Sequence, residues 1–346
     1  MRRSEHIARF QEIIWEWFAI HKRTLPWRDL RLSDDTERAY RILVSEVMLQ
    51  QTQVSRVKVA YVHFLERFPH LEDLASASNR DALIAWRGMG YNSRALRLRD
   101  AARTIEQRFG GIFPCEMGAL QSIEGLGHYT AAAIRNFAFN LPTPCLDTNI
   151  RRILHRVFVG PENTDGTWRK DDGYVLRLAR EILEIALHQR IEKRKTPAHR
   201  SPPAADEVGR NEKTISRDTK NWHAALMDFG SLVCTKRDPQ WDICPLTQHN
   251  LMKTTPRNFP KSFVRNSKAE PGRAVGSTFI PNRIFRGRVI EELRDNAQGL
   301  TLRELGPRIA IDWNPAHHRE WLRELVEKLK RDRLVEEREC RYVLAS

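Results

Sequence analysis

The sequence predicts a mainly α-helical protein that ends in a small winged-helix-like domain. Apolar residues recur at helical spacing up to about residue 188, and an alternating strand pattern is almost absent there. After Pro281, three helical patterns precede two short strand-like runs, which is the element order of a winged helix. A small helical cap is the alternative for this segment. We therefore predict a helical domain over 1–252, a linker over 253–280 and a winged-helix-like domain over 281–346.

The N-terminal segment predicts an amphipathic helix, and a later polar segment breaks the helical pattern. Five apolar residues share one face of the first helix: Ile7, Phe10, Ile13, Ile14 and Phe18. Charges flank these residues on both sides and no small-residue cleavage site follows, so we do not expect a signal peptide. Residues 189–220 are rich in charge, proline and serine, and predict a disordered insertion.

The charge composition favours a nucleic acid as the partner. The 346 residues include 58 Lys and Arg against 44 Asp and Glu, a formal net charge of +14. Phosphate contacts supply most non-specific affinity for nucleic acids. The alternative explanation is that the positive charge only keeps the protein soluble. No apolar run approaches the roughly 20 residues of a membrane span. Five scattered cysteines do not make a disulfide framework, so we expect an intracellular protein, in the cytoplasm or on the nucleoid.

A glycine turn between two helices is the most informative local pattern. A helix ends near Ile123, Gly125 and Gly127 make the turn, and a second helix begins near His128. Glycines let a backbone approach a partner closely, and the amides at the start of the second helix suit a phosphate. Alone, this pattern favours a plain structural turn, but between two apolar helices it indicates a helix-hairpin-helix motif that grips DNA. We expect Gly125, Gly127, His128 and Thr130 to contact DNA.

Asp147 follows about twenty residues after this turn and directly precedes another helix. Aspartate is a preferred N-cap residue, which is the structural interpretation. A carboxylate near the DNA axis can also stabilise an oxocarbenium-like sugar or activate water. The two interpretations are compatible, and the residues alone leave both open.

Six motifs follow one another in a specific order along the chain. They are LPWR at 25–28, SEVMLQQTQV at 45–54, GMGYNSRA at 88–95, the glycine turn, LDTNIRR at 146–152 and MDFGSLVCT at 227–235. In this order they resemble the MutY-type mismatch adenine glycosylases of the helix-hairpin-helix (HhH-GPD) superfamily, over roughly residues 10–250. The resemblance implies a two-lobed helical HhH-GPD fold, and a monomer that flips a base out of double-stranded DNA.

The resemblance also implies roles for four residues at the chemistry. Glu46 would be the general acid that protonates adenine at N7, and the apolar residues around it would raise its pKa by desolvation. Asp147, with Asn149 beside it, would stabilise the cationic sugar and guide water. Bifunctional relatives have a lysine where this chain has Tyr129, which cannot form a Schiff base. We therefore expect a monofunctional enzyme without efficient strand cleavage.

Five more residues match positions that contact DNA in the family. Gln51 and Tyr91 correspond to residues that wedge into the duplex when the base leaves, which offsets the cost of unstacking. Trp27, Arg28 and Leu49 match residues around the extruded base. Ordinary core packing is the alternative for Trp27 and Leu49.

The chain departs from the family pattern at the cysteines. The four positions that ordinarily bind a four-iron, four-sulfur cluster are occupied here by Cys234, Trp241, Cys244 and Asn250. Two thiolates are thus missing, although such clusters ordinarily need four. The other cysteines, Cys115, Cys145 and Cys340, do not lie at compensating spacing. We expect no iron-sulfur cluster, metal or other cofactor, with Trp241 filling the volume by packing.

Two further departures concern the choice of base. The glutamine or glutamate that contacts the flipped adenine is replaced by Ala224, and His223 is the alternative hydrogen-bonding residue. The family's Nudix-like C-terminal domain, which inspects the opposite 8-oxoguanine, is replaced by the segment from 281.

These observations predict a monofunctional glycosylase that removes adenine opposite guanine or 8-oxoguanine. Glu46 favours a purine that leaves after protonation. Ala224 and the missing recognition domain favour the rival, excision of thymine or uracil opposite guanine. A non-catalytic DNA-binding protein derived from a glycosylase is the third possibility, and the presence of both Glu46 and Asp147 argues against it.

Overall fold

The computed structural model describes residues 1–195, 216–260 and 270–346. The chain divides into two compact units, each made from two stretches of sequence. Unit 1 comprises Met1–Thr24 and Ala131–Asn266, and unit 2 comprises Leu25–Thr130 and Ser267–Ser346. The described elements are predominantly helical, which confirms the predicted fold class.

Unit 1 consists of helices, several of which pack on the N-terminal helix. They are α1 (Arg3–His21), α8 (His128–Phe137, which begins in unit 2), α9 (Thr148–Leu154), α10 (Asp172–Lys195), α11 (Thr219–Leu232) and α12 (Pro245–Gln248), with a π-helical turn His155–Val159 after α9. Phe10 and Trp15 of α1 meet Trp222 of α11 at ring distances of 6.0 and 5.5 Å. Each such buried side chain contributes about 1.5–3 kcal/mol, so these contacts join the N-terminus to a helix far along the chain.

Helix α10 extends further than the sequence predicted. It ends at Lys195, so residues 189–195, which were predicted to be disordered, are helical. Gln, Arg, Glu and Lys are good helix formers, and they continue the helix past its apolar face. Of the rest of the predicted insertion, residues 196–215 lie outside the described residues, whereas Thr219 and Lys220 are helical, so the prediction of disorder is wrong there as well. Helix α11 then begins at Thr219, where Asp218 accepts a hydrogen bond from the backbone N–H of Asn221 at 3.0 Å.

Unit 2 begins with six helices. They are α2 (Asp35–Leu49), α3 (Val54–Arg67), α4 (Leu71–Ser76), α5 (Asn79–Ala85), α6 (Ser93–Phe109) and α7 (Met117–Gln121). Asp34 caps α2 by accepting from the backbone N–H of Glu37 at 2.6 Å. Helix α6 ends where Gly110 takes a left-handed φ of +61°, and it packs against α2, α4 and α5.

The C-terminal segment of unit 2 contains three helices and two hairpins. Its elements are β1 (Gly272–Val275), β2 (Thr278–Pro281), α13 (Asn282–Asp295), α14 (Leu302–Ile309), α15 (Pro315–Arg331), β3 (Val335–Arg338) and β4 (Arg341–Leu344). Both strand pairs are antiparallel, and Leu300 forms a further bridge to Tyr342. From α13 onward the order of elements matches the order predicted from the sequence. The identification as a winged helix stays a prediction.

The hairpin β1–β2 falls inside the segment predicted as a linker, 253–280. Val275 pairs with Thr278 across a two-residue loop, and Gly276 in that loop has a φ of +58°. Such loops favour hairpins, since a glycine there matches the twist of the flanking strands. Regular structure therefore begins at Gly272 rather than at Pro281, and residues 261–269 lie outside the described residues. Across the described part of the chain, no helix is long and apolar enough to cross a membrane.

Candidate active site

Glu46 of unit 2 lies in a buried turn of helix α2. Its exposed fraction is 6%, and its neighbours Leu43 and Val47 are also buried. The hydroxyl of Tyr129, at the second position of α8, donates a hydrogen bond to Glu46 Oε2 at 2.8 Å. The carboxyl group is therefore held from a residue 83 positions away, directly after the glycine turn. The structure thus brings together two of the predicted site residues.

The glycine turn itself has two different glycines. Gly125 has a φ of +87°, a conformation that strains other residues, whereas Gly127 has no such requirement. A Cβ added at Gly127 would meet nothing within 4 Å, so nothing in the described chain requires glycine at that position. Both glycines and His128 are exposed, while Thr130 is buried. An open backbone at the start of α8 suits the approach of a phosphate.

Gln51 and Tyr91 occupy two tight turns, which we call the probe turns (residues 50–52 and 88–92). Gln51 has a φ of +56° and Tyr91 a φ of +45°, and both side chains are exposed. A residue other than glycine in this conformation costs about 1–3 kcal/mol, and it persists only where its surroundings hold it. The two residues predicted to wedge into DNA therefore have the same left-handed backbone conformation, and each exposes its side chain at a tight turn.

Arg94, which the sequence analysis did not single out, bonds both probe turns. It is 2% exposed, and its guanidinium donates to six oxygen atoms besides that of Tyr91. These are the backbone oxygens of Val47 (3.1 Å), Met48 (3.0 Å), Gln50 (2.5 Å), Met89 (3.1 Å) and Gly90 (3.1 Å), and Thr52 Oγ1 (3.1 Å). Burial lowers the pKa of Arg94 to about 10. The arginine in GMGYNSRA was the available signal, but its partners from 47–52 are not apparent from spacing.

The three residues predicted to surround the base belong to unit 2 as well. Trp27 is buried and its ring meets that of Tyr61 edge-on at 5.5 Å. Leu49 is half-buried at the last position of α2, three residues after Glu46. Arg28 is half-buried in a turn in which its backbone N–H bonds Leu25 O at 2.9 Å. The packing of Trp27 on Tyr61 is the contact expected if Trp27 is an ordinary core residue, which is the alternative interpretation of this position.

Asp147 of unit 1 caps helix α9. Its Oδ1 accepts the backbone N–H of Ile150 at 2.6 Å, and its Oδ2 accepts Asn149 Nδ2 at 2.8 Å. Desolvation raises the pKa of Asp147, while these two hydrogen bonds act in the opposite direction. The N-cap interpretation is therefore correct as structure, and the catalytic role of Asp147 stays a prediction.

A second arginine, Arg152, connects the neighbourhood of Asp147 to the loop that contains Cys234. It is buried, and its Nη2 donates to Asn149 Oδ1 at 2.7 Å and to Gly230 O at 2.6 Å. Its Nε donates to Cys234 O at 2.5 Å. A Cβ added at Gly230 would lie 2.5 Å from the Cβ of Asn149, so glycine is required for this close contact. A continuous series of hydrogen bonds therefore runs from Cys234 through Arg152 and Asn149 to Asp147.

The four cluster positions do not fit an iron-sulfur cluster. Cys234 and Cys244 are buried, and burial raises the pKa of the Cys234 thiol, which opposes the thiolate that iron requires. Trp241 packs edge-on against Phe259 at 5.6 Å, and Asn250 is exposed. Among the described residues, no group of three or more His, Cys, Asp or Glu side chains is placed to hold a metal ion.

Arg156 organises the same loop with an ion pair. It is fully buried and forms a salt bridge of 2.6 Å with Glu162, which is also buried. Its guanidinium donates to Thr235 O at 2.6 Å and Lys236 O at 3.0 Å, and Nη1 lies 3.6 Å from Cys234 Sγ. The loop that follows Cys234 is thus fixed by protein hydrogen bonds.

Ala224 and His223 adjoin each other on α11. Ala224 is buried and offers no polar side-chain atom. His223 is buried as well, and burial lowers its pKa to about 4, so the ring is neutral near pH 7. Its Nδ1 lies 2.8 Å from Thr219 O. A carbonyl can only accept, so Nδ1 carries the proton and Nε2 is left as an acceptor.

Comparisons with known proteins agree on one family. A model of the HhH-GPD superfamily base excision DNA repair proteins matches residues 44–173. The chain is 30% identical over 289 residues to adenine DNA glycosylase of Mycolicibacterium smegmatis, which covers 84% of this chain and 82% of that protein. It is 33% identical over 244 residues to adenine DNA glycosylase of Mus musculus, covering 69% of this chain and 41% of that protein.

Solved structures are similar in fold. A thermostable thymine-DNA glycosylase aligns with a TM-score of 0.54 and 22% identity, over 72% of this chain and 95% of its own. Endonuclease III in a trapped covalent intermediate with DNA aligns with a TM-score of 0.50 and 17% identity, over 73% and 97%. At these identities the likeness establishes the fold alone.

Proposed function

The chain belongs to the family of adenine DNA glycosylases in the HhH-GPD superfamily, and on this premise we propose that it removes adenine opposite guanine or 8-oxoguanine. As a family member it is a DNA N-glycosylase of base excision repair. The buried carboxyl of Glu46, held by the hydroxyl of Tyr129, is the observation that carries the proposal. A purine needs an acid at N7 to leave as a neutral base, and a desolvated carboxyl group is suited to give that proton.

In the proposed reaction, Glu46 passes its proton to N7 of the extruded adenine. The C1′–N9 bond then breaks, and its electron pair stays on the base. The carboxylate of Asp147 stabilises the charge of the resulting oxocarbenium ion, and Asn149 orients Asp147 by its hydrogen bond. Water adds to C1′ and loses a proton to solvent, which leaves free adenine and an abasic site.

Tyr129 supports a purely hydrolytic reaction. A phenol cannot form an imine with the sugar, and here its hydroxyl is bonded to Glu46. We infer that the enzyme is monofunctional and leaves the strand intact. We also infer that it works without an iron-sulfur cluster, because two of the four ligand positions are Trp241 and Asn250. We also propose that the protein acts as a monomer on double-stranded DNA, on the nucleoid of the cell.

One observation favours a second substrate. Ala224 offers no hydrogen bond to adenine at the position where the family pattern has glutamine or glutamate, so excision of thymine or uracil opposite guanine is the rival. The neutral His223, with Nε2 as an acceptor, supports adenine instead, because the exocyclic amine of adenine is a donor.

The test uses labelled duplexes under single-turnover conditions. They carry adenine opposite guanine or 8-oxoguanine, and thymine or uracil opposite guanine, and hot alkali reveals abasic sites. We expect alkali-dependent cleavage at adenine only, and no cleavage without alkali. Cleavage at thymine or uracil would move the substrate to the rival, and tight binding without cleavage would leave a DNA-binding protein.

Matched variants separate chemistry from folding. Glu46→Gln and Asp147→Asn keep shape while removing the acid and the charge, and each should reduce excision by at least about 100-fold. Glu37→Gln on the same helix is the control, because Glu37 pairs with Arg41 of its own helix and has no proposed role in the reaction. Unchanged excision in Glu46→Gln would refute the proposed role of the acid.

A further inference from the structure

Helix α13 of the C-terminal segment contacts the probe turn that carries Tyr91. Arg294 makes this contact and is 6% exposed. Its Nε donates to Leu83 O at 2.9 Å, and its Nη2 donates to Asn92 Oδ1 at 2.9 Å. Because these partners lie 211 and 202 positions away, the bonds join the C-terminal segment to the end of α5 and the start of α6.

Asn92 is the residue next to Tyr91, and its side chain bonds a residue of α13 rather than the backbone of its own helix. It occupies the N-cap position of α6, where asparagine ordinarily accepts a backbone N–H of the helix. Here it makes no such bond, its backbone is already helical, and the side chain is buried against Arg294. The conformation of this turn is therefore held from two sides, by Arg94 and by Arg294.

Two exposed ion pairs flank the same contact. Arg87 bonds Asp295 at 2.6 Å, directly before the probe turn, and Arg333 bonds Asp100 at 2.8 Å on helix α6. Exposed pairs contribute little to stability, so Arg294 is the strongest of these three polar contacts. The flanking pairs agree with one defined docking position of the C-terminal segment within unit 2.

The charge of the C-terminal segment does not suit a DNA-binding module. Residues 270–346 contain 15 Lys and Arg against 13 Asp and Glu, although the whole chain has a net charge of +14. Many of its basic side chains are in ion pairs, such as Arg341 with Glu304 and Arg286 with Asp332. The tip of the hairpin β3–β4 exposes Glu339 beside Arg338, so it does not form a basic patch that would favour phosphates.

We propose that the C-terminal domain positions the Tyr91 probe turn for base extrusion, with Arg294 as the positioning residue that acts through Asn92. The inference rests on the proposed function, because it assigns the domain to the extrusion step of the same reaction. Inserting a wedge must offset the cost of unstacking, and a turn that is already fixed before binding does not lose conformational entropy when it enters the base stack. Removal of Arg294 leaves Asn92 unpaired and lets the turn relax before it meets DNA.

The test compares full-length Arg294→Met with two other variants. Arg294→Lys retains a donor near Asn92 and should recover part of the effect. Arg288→Met is the matched control, since Arg288 lies on the same helix but bonds Ile309 O inside the C-terminal segment. Melting temperatures of all three verify folding. Excision is measured on adenine in a mismatch and on adenine in a single-base bulge, where the base is already unpaired.

We expect Arg294→Met to slow excision from the mismatch about fivefold and excision from the bulge less than twofold, because only the mismatch requires full extrusion. Arg288→Met should change neither rate. Equal loss on both substrates, no loss on either, or the same loss in Arg288→Met would overturn the inference.

A second readout keeps this test separate from the proposed function. Fluorescence of 2-aminopurine at the target position reports extrusion without any excision. It should fall in Arg294→Met relative to the wild type even if the enzyme prefers another base. If instead the variant keeps the wild-type fluorescence but binds duplex with a weaker salt dependence, the C-terminal domain acts by binding DNA, and the inference is wrong.

Discussion

Units 1 and 2 use buried arginines in different ways. In unit 2, Arg94 donates to backbone and hydroxyl oxygens and holds two turns in a strained conformation. In unit 1, Arg156 pairs with the buried carboxylate of Glu162 and fixes the loop after Cys234. The first arrangement fixes the two turns that carry Gln51 and Tyr91, whereas the second stabilises the loop that follows Cys234. The comparison shows that one residue type can serve geometry or stability, depending on its acceptors.

The largest expected effect concerns the ion pair of unit 1. Arg156→Met would leave Glu162 buried without its partner, so the free energy of unfolding should fall by about 3–5 kcal/mol. The double variant Arg156→Met, Glu162→Leu removes both charges and should recover part of that loss. Chemical denaturation of both proteins is the measurement. If the double variant were no more stable than the single one, the ion pair would not explain the stability of the loop.

Arg94→Met is expected to have the next largest effect, and it should act on DNA as well as on folding. Several buried oxygens would lose their donor, which costs about 3 kcal/mol in total. Arg103→Met is the matched control, because Arg103 lies on the same helix and bonds Ala75 O and Ala77 O, away from the probe turns. Only Arg94→Met should reduce 2-aminopurine fluorescence at the target base. Equal reductions in both variants would show that Arg94 has no particular role in the probe turns.

The smallest effect concerns the hydrogen bond between Asn149 and Asp147. Desolvation raises the pKa of Asp147, so excision should decline with falling pH at a value above the ordinary 3.8 of an aspartate. Asn149→Ala removes a bond that favours the ionised form, so the acidic limb of the rate profile should move to higher pH. At neutral pH the excision rate of Asn149→Ala should be about tenfold below that of the wild type, because one hydrogen bond to a charged group is lost.

Single-turnover pH profiles of the wild type and Asn149→Ala measure this shift. Asn163→Ala is a suitable control, since the exposed side chain of Asn163 bonds Thr167 in the same unit. An acidic limb that stays in place, or moves to lower pH, would contradict the assigned role of Asn149.

Much of the helical fold could be predicted from the sequence because its signals are local. Apolar spacing and a cap residue such as Asp147 lie within one or two turns of the helix to which they belong. The end of α10 and the hairpin β1–β2 were missed, because a polar helix and a short hairpin carry little apolar signal. Glu46 came from the motif resemblance, whereas Asp147 was already apparent from its position before a helix, and the roles of both stay predictions.

The sequence by itself determined the order of helices, the family motifs and the missing cluster ligands, since each is a matter of residue type and short spacing. Only the tertiary structure decided which side chains hold the site. Arg94 bonds residues 42 to 47 positions away, Arg152 reaches Cys234, and Arg294 reaches Asn92 across 202 positions. No local pattern encodes such pairs. A buried guanidinium selects its acceptors only after the chain has folded and has excluded the water that would otherwise serve them.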